Sequence, residues 1–507
     1  MKSIQPWYWL KLPLENRTGS EVFAALFLKR NAISTLLESP FPNDTKGSEA
    51  DPRKSRSQAQ PGNEQRRLSL PFKTARYSIC AGTPRILNGS KALWTPSLGN
   101  ILPFLRQLLN RGAAEDILSP PAKNLPFTGG WLGWLGYDLA WEIERLPLLK
   151  PDPLPFPVAY WYEPECFAVL DHWDQILWLA ATEEKQLDQL QSQLEIEIPA
   201  RGIKSTLYNP QSKIQTQLPH FCTSQTEYTE AVRQAKKYIK AGDIFQTNLS
   251  ARFVKNTTAD SWEIYRALQR LNPSPFASYW QTPWGAMISC SPERLVQLQG
   301  RTCQTRPIAG TRSRGATRQQ DSLQAQDLLA NAKERAEHIM LVDLERNDLG
   351  RVCEWGSVVV DELLTIERYS HVMHLVSNII GTLQPLYSSV DLIRALFPGG
   401  TITGCPKVRC MEIIEQLEPV RRNLFYGSCG YLDLSGNLDL NILIRTLLFN
   451  KNKSSFSHEP SFTYNTVSGQ VGAGIVADSD PEKEWYESLD KAQAQLAAIE
   501  LAQNIII

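Results

Sequence analysis

The sequence predicts an α+β or α/β body with large sheets. Short alternating segments rich in β-branched and aromatic residues recur along the chain. Capped amphipathic helices stand between them, and no internal repeat is visible. At 507 residues the chain is long for one domain and suits two or three, or one large composite unit.

Taken in order, the first distinctive stretch is polar. Residues 43–71 carry Pro, Gly and Ser with a basic cluster ending at Arg66-Arg67, and no periodicity, so a disordered surface insertion is expected. The run Thr128-Gly129-Gly130-Trp131-Leu132-Gly133-Trp134 alternates glycine and aromatics, which suits a strand closely approached by another backbone. Scattered Pro, Gly and Ser at 198–222 place the main boundary there, giving an N-terminal domain 1–220 and a second domain 221–507. Ser224 and Glu227 form a capping box opening a helix over 228–240 that stops at Gly242. Residues 244–254 then alternate, with Phe245, Leu249, Ala251 and Phe253 on one face and Gln246, Asn248, Ser250 and Arg252 on the other. Further helices are expected over 333–344, 408–415 and 482–502, and strands over 287–289, 357–360, 430–434, 441–447 and 471–476.

Composition excludes several classes of function. The 53 basic residues balance 53 acidic ones, so no broad basic field for nucleic acid is expected. No apolar run approaches the roughly 20 residues of a membrane span. The N-terminus lacks the charged-then-apolar layout of a secretory signal, and the nine cysteines contain no C-x-x-C pair. A reducing cytoplasm without a disulfide framework is the expectation. Of six histidines only His371 and His374 lie close together, without paired cysteines, which argues against zinc.

The closing segment carries the clearest chemistry. Gly469, Gly472 and Gly474 leave backbone N–H groups open to a ligand, because no Cβ blocks close approach. Ser479 and Glu482 read as a capping box with Pro481 in the first helical turn, and Glu484 and Glu487 then stack at i and i+3. A glycine turn beside two carboxylates can hold an anionic substrate through a divalent metal; a turn and a solvated helix is the plainer alternative. Arg445 in an apolar strand needs an anionic partner, either a bound carboxylate or an internal Glu. Glu337 shares a helical face with Leu341 and Leu344 and should point inward. Glu293 sits at a Pro turn, and His374 is either an acid/base group or a hydrogen-bonded core histidine. Gly399-Gly400-Thr401 lacks the Walker spacing, which disfavours nucleotide hydrolysis.

Together Ser289–Arg294, Thr305–Arg312, 334–351, 369–374, 397–407, 441–446 and the tail resemble, in order, the chorismate-utilising enzymes. That is the family of anthranilate synthase component I and aminodeoxychorismate synthase component I. The N-terminal part resembles it more loosely, at Leu36-Leu37-Glu38-Ser39 and 127–138. The resemblance implies an α+β fold of large antiparallel β-sheets packed as a sandwich with helices outside. It implies a Mg²⁺-dependent enzyme acting on chorismate, with Glu337 and Glu487 as metal ligands and Glu484 nearby. Arg445 and the backbone of Gly472, Ala473 and Gly474 would hold the enolpyruvyl carboxylate, with Thr401, Tyr426 and Lys407 completing the pocket. Glu293 would assist loss of the ring hydroxyl and His374 would be a second acid/base group. A hydroxide leaves poorly unless protonated.

The product depends on what attacks and where. In many aminodeoxychorismate synthases a lysine in a Pro-Ile-Lys-Gly-Thr segment attacks C2 first. Here Ala309 holds that place, beside Gly310 and Thr311, and a methyl group cannot be a nucleophile, which favours direct amination to anthranilate. Gln246-Thr247-Asn248, Pro398-Gly399-Gly400, Asp439-Leu440-Asn441 and Asp478-Ser479-Asp480-Pro481 look like the aminodeoxychorismate branch. The expected function is therefore aminodeoxychorismate synthase component I, with anthranilate synthase component I as the alternative. Leu37, Glu38 and Ser39 with Asn272, Pro273 and Ser274 resemble a tryptophan pocket found in either branch. No Cys-containing glutaminase segment is present, so a separate glutamine amidotransferase subunit is expected to supply ammonia. A degenerate tryptophan-sensing or scaffold protein is the non-enzyme alternative; the retained inward charges at Glu293, Glu337 and Arg445 argue against it.

Overall fold

The computed structural model describes residues 7–28, 33–39, 76–113, 125–196, 218–369, 372–451 and 465–504. The insertion expected at 43–71 and most of the boundary segment lie outside these residues.

Two antiparallel sheets form the body, one of twelve strands and one of ten. They face each other across one apolar core, to which the larger sheet contributes Ile79, Val169, Trp280 and Met287 and the smaller Trp131, Trp134, Tyr160, Val296 and Tyr431. Trp134 meets Trp280 edge-on across this gap, ring centroids 5.8 Å apart. The outer face of the larger sheet packs Tyr279, Ile288 and Phe253 against helices Gly19–Leu26, Ser261–Leu271 and Pro481–Asn504. Two sheets with helices outside is the architecture that the resemblance implies.

Segments on both sides of residue 220 share both sheets. Strand Ser34–Glu38 pairs with Phe276–Thr282, and Gly130–Leu135 pairs with Ser428–Asp433. On its other side Gly130–Leu135 pairs with Ala159–Tyr162, and Gly133 lets that strand approach, because a Cβ there would stand 2.3 Å from the Tyr160 carbonyl oxygen.

Most expected elements are present, several longer than their sequence signal. The capping box at Ser224 and Glu227 opens helix Gln225–Ala241, which stops at Gly242 with φ +82°. The helix expected over 333–344 runs Ala332–Gly350, and strand 357–360 is Val359–Arg368. Strand Gln246–Thr257 buries Leu249, Ala251 and Phe253 in apolar clusters, while Gln246, Ser250 and Arg252 are buried on its polar face. Phe245 departs from this pattern: it precedes the strand and is 69% exposed.

Three local readings are corrected. The strand expected over 441–447 is two strands, Leu438–Asn441 in the smaller sheet and Thr446–Asn450 in the larger, and the chain crosses between sheets with Arg445 at φ +51°. The final helix is capped by Asp480, whose Oδ1 accepts from the Glu482 and Lys483 N–H groups, because Pro481 occupies the first helical position. Ser479 instead accepts from the Val476 N–H. Gly472 and Gly474 lie inside strand Asn465–Ile475 rather than in a turn. Among the described residues no helix is long and apolar enough to cross a membrane.

Candidate active site

The site is built where strands change sheets. Strand Gly285–Ser291 of the larger sheet continues through Pro292 and Glu293 into Arg294–Gln299 of the smaller one. The Ile442–Arg445 crossing runs beside it in the opposite direction. The two corners are tied: the Ile442 N–H donates to the Glu293 carbonyl at 3.0 Å, Ser291 Oγ donates to the Ile442 carbonyl at 2.6 Å, and the Cys290 N–H donates to the Arg445 carbonyl at 3.2 Å. Corners of this kind expose side chains between the layers.

Glu293 is buried, and desolvation with the nearby Glu345 charge pushes its carboxyl up to about 8. The Thr401 hydroxyl, the Ile308 N–H and Arg445 offset this in part. Thr401 Oγ1 is buried and has no other partner among the described residues. At neutral pH Glu293 therefore carries a proton.

Arg445 donates from Nη1 to Asn272 Oδ1 at 3.1 Å, and no ion pair to it is found among the described residues. Burial depresses its basicity, countered by Tyr369, Cys290 and Glu293. An internal Arg–Glu pair, the plainer of the two readings of this residue, is not formed. Among the described residues no carboxylate meets the planar fork of the guanidinium, a geometry that matches a carboxylate two-pronged.

His374, on strand Val372–Thr382, turns Nδ1 to the Gly310 carbonyl at 3.3 Å and to Thr311 Oγ1 at 3.0 Å. A carbonyl only accepts, so Nδ1 carries the hydrogen and the buried, unpartnered Nε2 is a free acceptor. Burial and the Arg445 charge lower the ring to about 3, keeping it neutral. Gly310 makes this contact from a bulge at φ +68°, where a Cβ would stand 2.6 Å from Glu334 Oε2. Ala309 precedes it, half-buried and in register with Leu375.

Tyr426 lies next to the crossing at φ +65°, its N–H bonded to the Leu443 carbonyl and its ring under the Arg422 guanidinium at 4.5 Å. Lys407 turns away from this group. Its ammonium donates to Asp348 Oδ2 and, at 3.0 Å, to the Leu396 carbonyl, so it is committed to a buried ion pair.

The glycine strand and the carboxylates meet at one end of the larger sheet. Strand Asn465–Ile475 pairs with Gln246–Thr257 throughout, but with Thr446–Asn450 only as far as Gly469, so these strands leave the edge beyond Gly469, which carries Gly472, Ala473 and Gly474, unpaired. A Cβ on Gly474 would stand 2.6 Å from Gln246 Nε2 and 3.5 Å from Glu337 Oε1, while Gln246 donates to Glu337 at 2.9 Å. Burial raises both Glu337 and Glu484, and the Glu487 charge raises both further. Glu487 itself is exposed and paired with Lys491 at 2.9 Å. Among the described residues no three His, Cys, Asp or Glu side chains converge as a metal-binding group.

The residues compared with a tryptophan pocket are also neighbours. Leu37 and Glu38 pair with Ser278 and Ala277, and Ser39 Oγ donates to the Pro275 carbonyl, three residues after Asn272 and following Pro273 and Ser274. The Glu38 carboxylate is satisfied internally by the Ser20 N–H at 2.8 Å, Ser20 Oγ at 2.6 Å, Tyr265 OH at 2.9 Å and the Gln269 amide. Asn272 links this cluster to Arg445.

Sequence reasoning missed Asn272 as a partner of Arg445, Gln246 as a partner of Glu337, and the buried pair Glu345 and Asp348. The polar face of strand Gln246–Thr257 was a usable signal for Gln246. Nothing in the helical pattern distinguishes Glu345 from a solvated charge.

Residues 75–497 match the family model described as chorismate binding enzyme. The chain is 56% identical over 502 residues to an anthranilate synthase component I-like protein of Synechocystis sp., covering 99% of this chain and 93% of that protein. It is 44% identical over 386 residues to aminodeoxychorismate synthase component 1 of Bacillus subtilis, covering 75% and 78%. Against anthranilate synthase component 1 of the same Synechocystis strain it is 40% identical over 424 residues, covering 79% and 81%. Among solved structures, anthranilate synthase component I from Streptococcus pneumoniae superposes with a TM-score of 0.68 at 30% identity, covering 86% of this chain and 95% of that one.

Proposed function

The chain belongs to the chorismate binding enzyme family, and from that premise we propose that it is an aminodeoxychorismate synthase component I, aminating chorismate at C4 to 4-amino-4-deoxychorismate. The observation that carries this choice of product is a contrast within one organism. One Synechocystis relative is named anthranilate synthase component 1, at 40% identity, and this chain lies nearer, at 56%, to a second relative from that strain named only anthranilate synthase component I-like. A second copy beside a dedicated anthranilate enzyme has reason to make the other product.

In this reading the Arg445 guanidinium binds the enolpyruvyl carboxylate, with the open edge at Gly472–Gly474 and Tyr426 beside it. Protonated Glu293 gives its proton to the departing ring hydroxyl, and neutral His374 Nε2 accepts one from the incoming nitrogen. Lys407 acts from behind the pocket, through Asp348. Glu337, Glu484 and Glu487 would hold Mg²⁺: their hard oxygens suit it, and a divalent cation would offset the burial, and the smaller Glu487 repulsion, that raise Glu337 and Glu484. Bound there, Mg²⁺ supplies a Lewis-acid clamp for the ring carboxylate. Ammonia comes from a separate glutamine amidotransferase subunit. Tryptophan at Leu37–Ser39 and Asn272–Ser274 is the regulatory part of the proposal, its ammonium replacing the Gln269 amide on Glu38.

Ala309 favours the second reading, anthranilate synthase, because no amine stands at the half-buried place next to Gly310. The deciding experiment supplies chorismate, Mg²⁺ and ammonium and identifies the product by mass spectrometry and fluorescence. A product that becomes p-aminobenzoate only after a lyase is added supports the proposal; anthranilate formed unaided overturns it.

Two variants probe the parts. Ala309→Lys should leave 4-amino-4-deoxychorismate as the product under this proposal and should move an anthranilate-forming enzyme towards a covalent or C4-directed path; anthranilate made unchanged by both wild type and variant would show that residue 309 does not select. Glu487→Gln should abolish turnover and shrink the rise in melting temperature that Mg²⁺ causes in the wild type. Full activity at limiting Mg²⁺ would refute that ligand.

A further inference from the structure

Two chain segments frame the Glu293 carboxyl. One brings the Ile308 N–H to it, and the other brings the Thr401 hydroxyl. Both lead back to a single side chain. Glu345, on helix Ala332–Gly350 and 3% exposed, accepts at Oε2 from Thr305 Oγ1 at 3.1 Å, three residues before Ile308. The Gly400 N–H, one residue before Thr401, faces the same carboxylate. Gly400 packs closely against this helix: a Cβ would stand 2.4 Å from Leu344 Cδ2 and 3.4 Å from Glu345 Oε1. Behind Glu345, Asp348 takes the Lys407 ammonium, so the ion pair holds the helix side of the arrangement closed.

We propose that Glu345 is the positioning residue of the Glu293 acid: one buried carboxylate anchors both segments that frame the acid, and its negative charge acts on it. The inference rests on Glu293 being the acid of the proposed function. Glu293 is faced by Glu345, Arg445, the Thr401 hydroxyl and the Ile308 N–H; Glu345 is faced by Asp348, Lys407, Thr305 and the Gly400 N–H. Like charges oppose ionisation, so Glu345 strengthens the hold of Glu293 on its proton, and Arg445 weakens it. Burial and Asp348 lift Glu345 to about 7, while the Lys407 ammonium and the Thr305 hydroxyl favour its charged form.

The test is the pH profile of kcat/KM for Glu345→Gln with chorismate, ammonium and Mg²⁺. The amide oxygen still accepts from Gly400 and the amide nitrogen can donate to Thr305 Oγ1, whose own hydrogen has the Leu295 carbonyl at 2.9 Å, so the variant keeps both anchors and loses only the charge. The basic limb should move to lower pH by about one unit, with kcat at pH 6.5 within about threefold of wild type. Glu345→Ala, which loses the anchors as well, should lower kcat about 10- to 100-fold at every pH with little change in KM. A basic limb unmoved in Glu345→Gln overturns the inference. Glu293→Gln run in parallel separates the two levels: full turnover in that variant sinks the acid assignment itself, whereas an inactive Glu293→Gln with an unmoved limb in Glu345→Gln sinks only the role of Glu345. Should Glu345→Gln melt before assay, Thr305→Val breaks one anchor alone and should lower kcat several-fold with the limb in place; a wild-type kcat there overturns the anchoring.

Discussion

Replacing Arg445 with alanine is expected to lower kcat/KM for chorismate by about 100- to 1,000-fold, roughly 3–4 kcal/mol, without loosening the fold. Both halves of that expectation come from one feature. The guanidinium is half-buried, yet its only hydrogen bond among the described residues is to the Asn272 amide, and it has no carboxylate partner there. A charge kept in that condition is costly to the folded state, and a bound carboxylate is what would repay it. Removing it should therefore leave the melting temperature unchanged or higher. Arg445→Lys should recover only part of the loss, since an ammonium offers no planar fork. A wild-type KM in the alanine variant would remove Arg445 from the substrate contacts.

Glu293→Gln is the second large effect. Loss of the proton donor should cost about 100- to 10,000-fold in kcat while chorismate still binds. The wild type should be active below and lose activity as pH rises through about 8, because the acid form does the work. Stability should follow the same carboxyl. Its folded value lies above its unfolded one, so the folded state binds the extra proton between about 4.5 and about 8. That contribution is complete below the unfolded value and is lost as pH rises through the folded one. The variant, which never ionises there, should gain on the wild type in melting temperature between pH 6 and 9. A wild-type basic limb well away from pH 8, or a melting difference flat with pH, would count against a protonated Glu293.

How far the site was legible depended on the kind of signal. The capping box at Ser224 and Glu227 and the alternation after Gln246 are local patterns, and the structure keeps both. Arg445 stood out because a lone guanidinium among Asn441-Ile442-Leu443-Ile444 is expensive wherever the chain puts it. Its strand assignment failed because apolar residues at a crossover look the same in sequence as apolar residues in a strand. Ser479 and Asp480 are both good caps, and only the position taken by Pro481 decided between them.

The sequence by itself determined the family, the α+β class and the residue types the chemistry needs, since periodicity, caps and the order of motifs are written along one chain. Tertiary structure alone decided which of those residues face each other. Glu293 and Arg445 lie about 150 positions apart and meet because two strands change sheets side by side. Lys407 looked like a pocket residue and is claimed by Asp348; Glu345, which no local pattern singled out, is buried against Thr305. Charges buried between two sheets are paired or left open by distance in space, and a linear order of residues does not contain that distance.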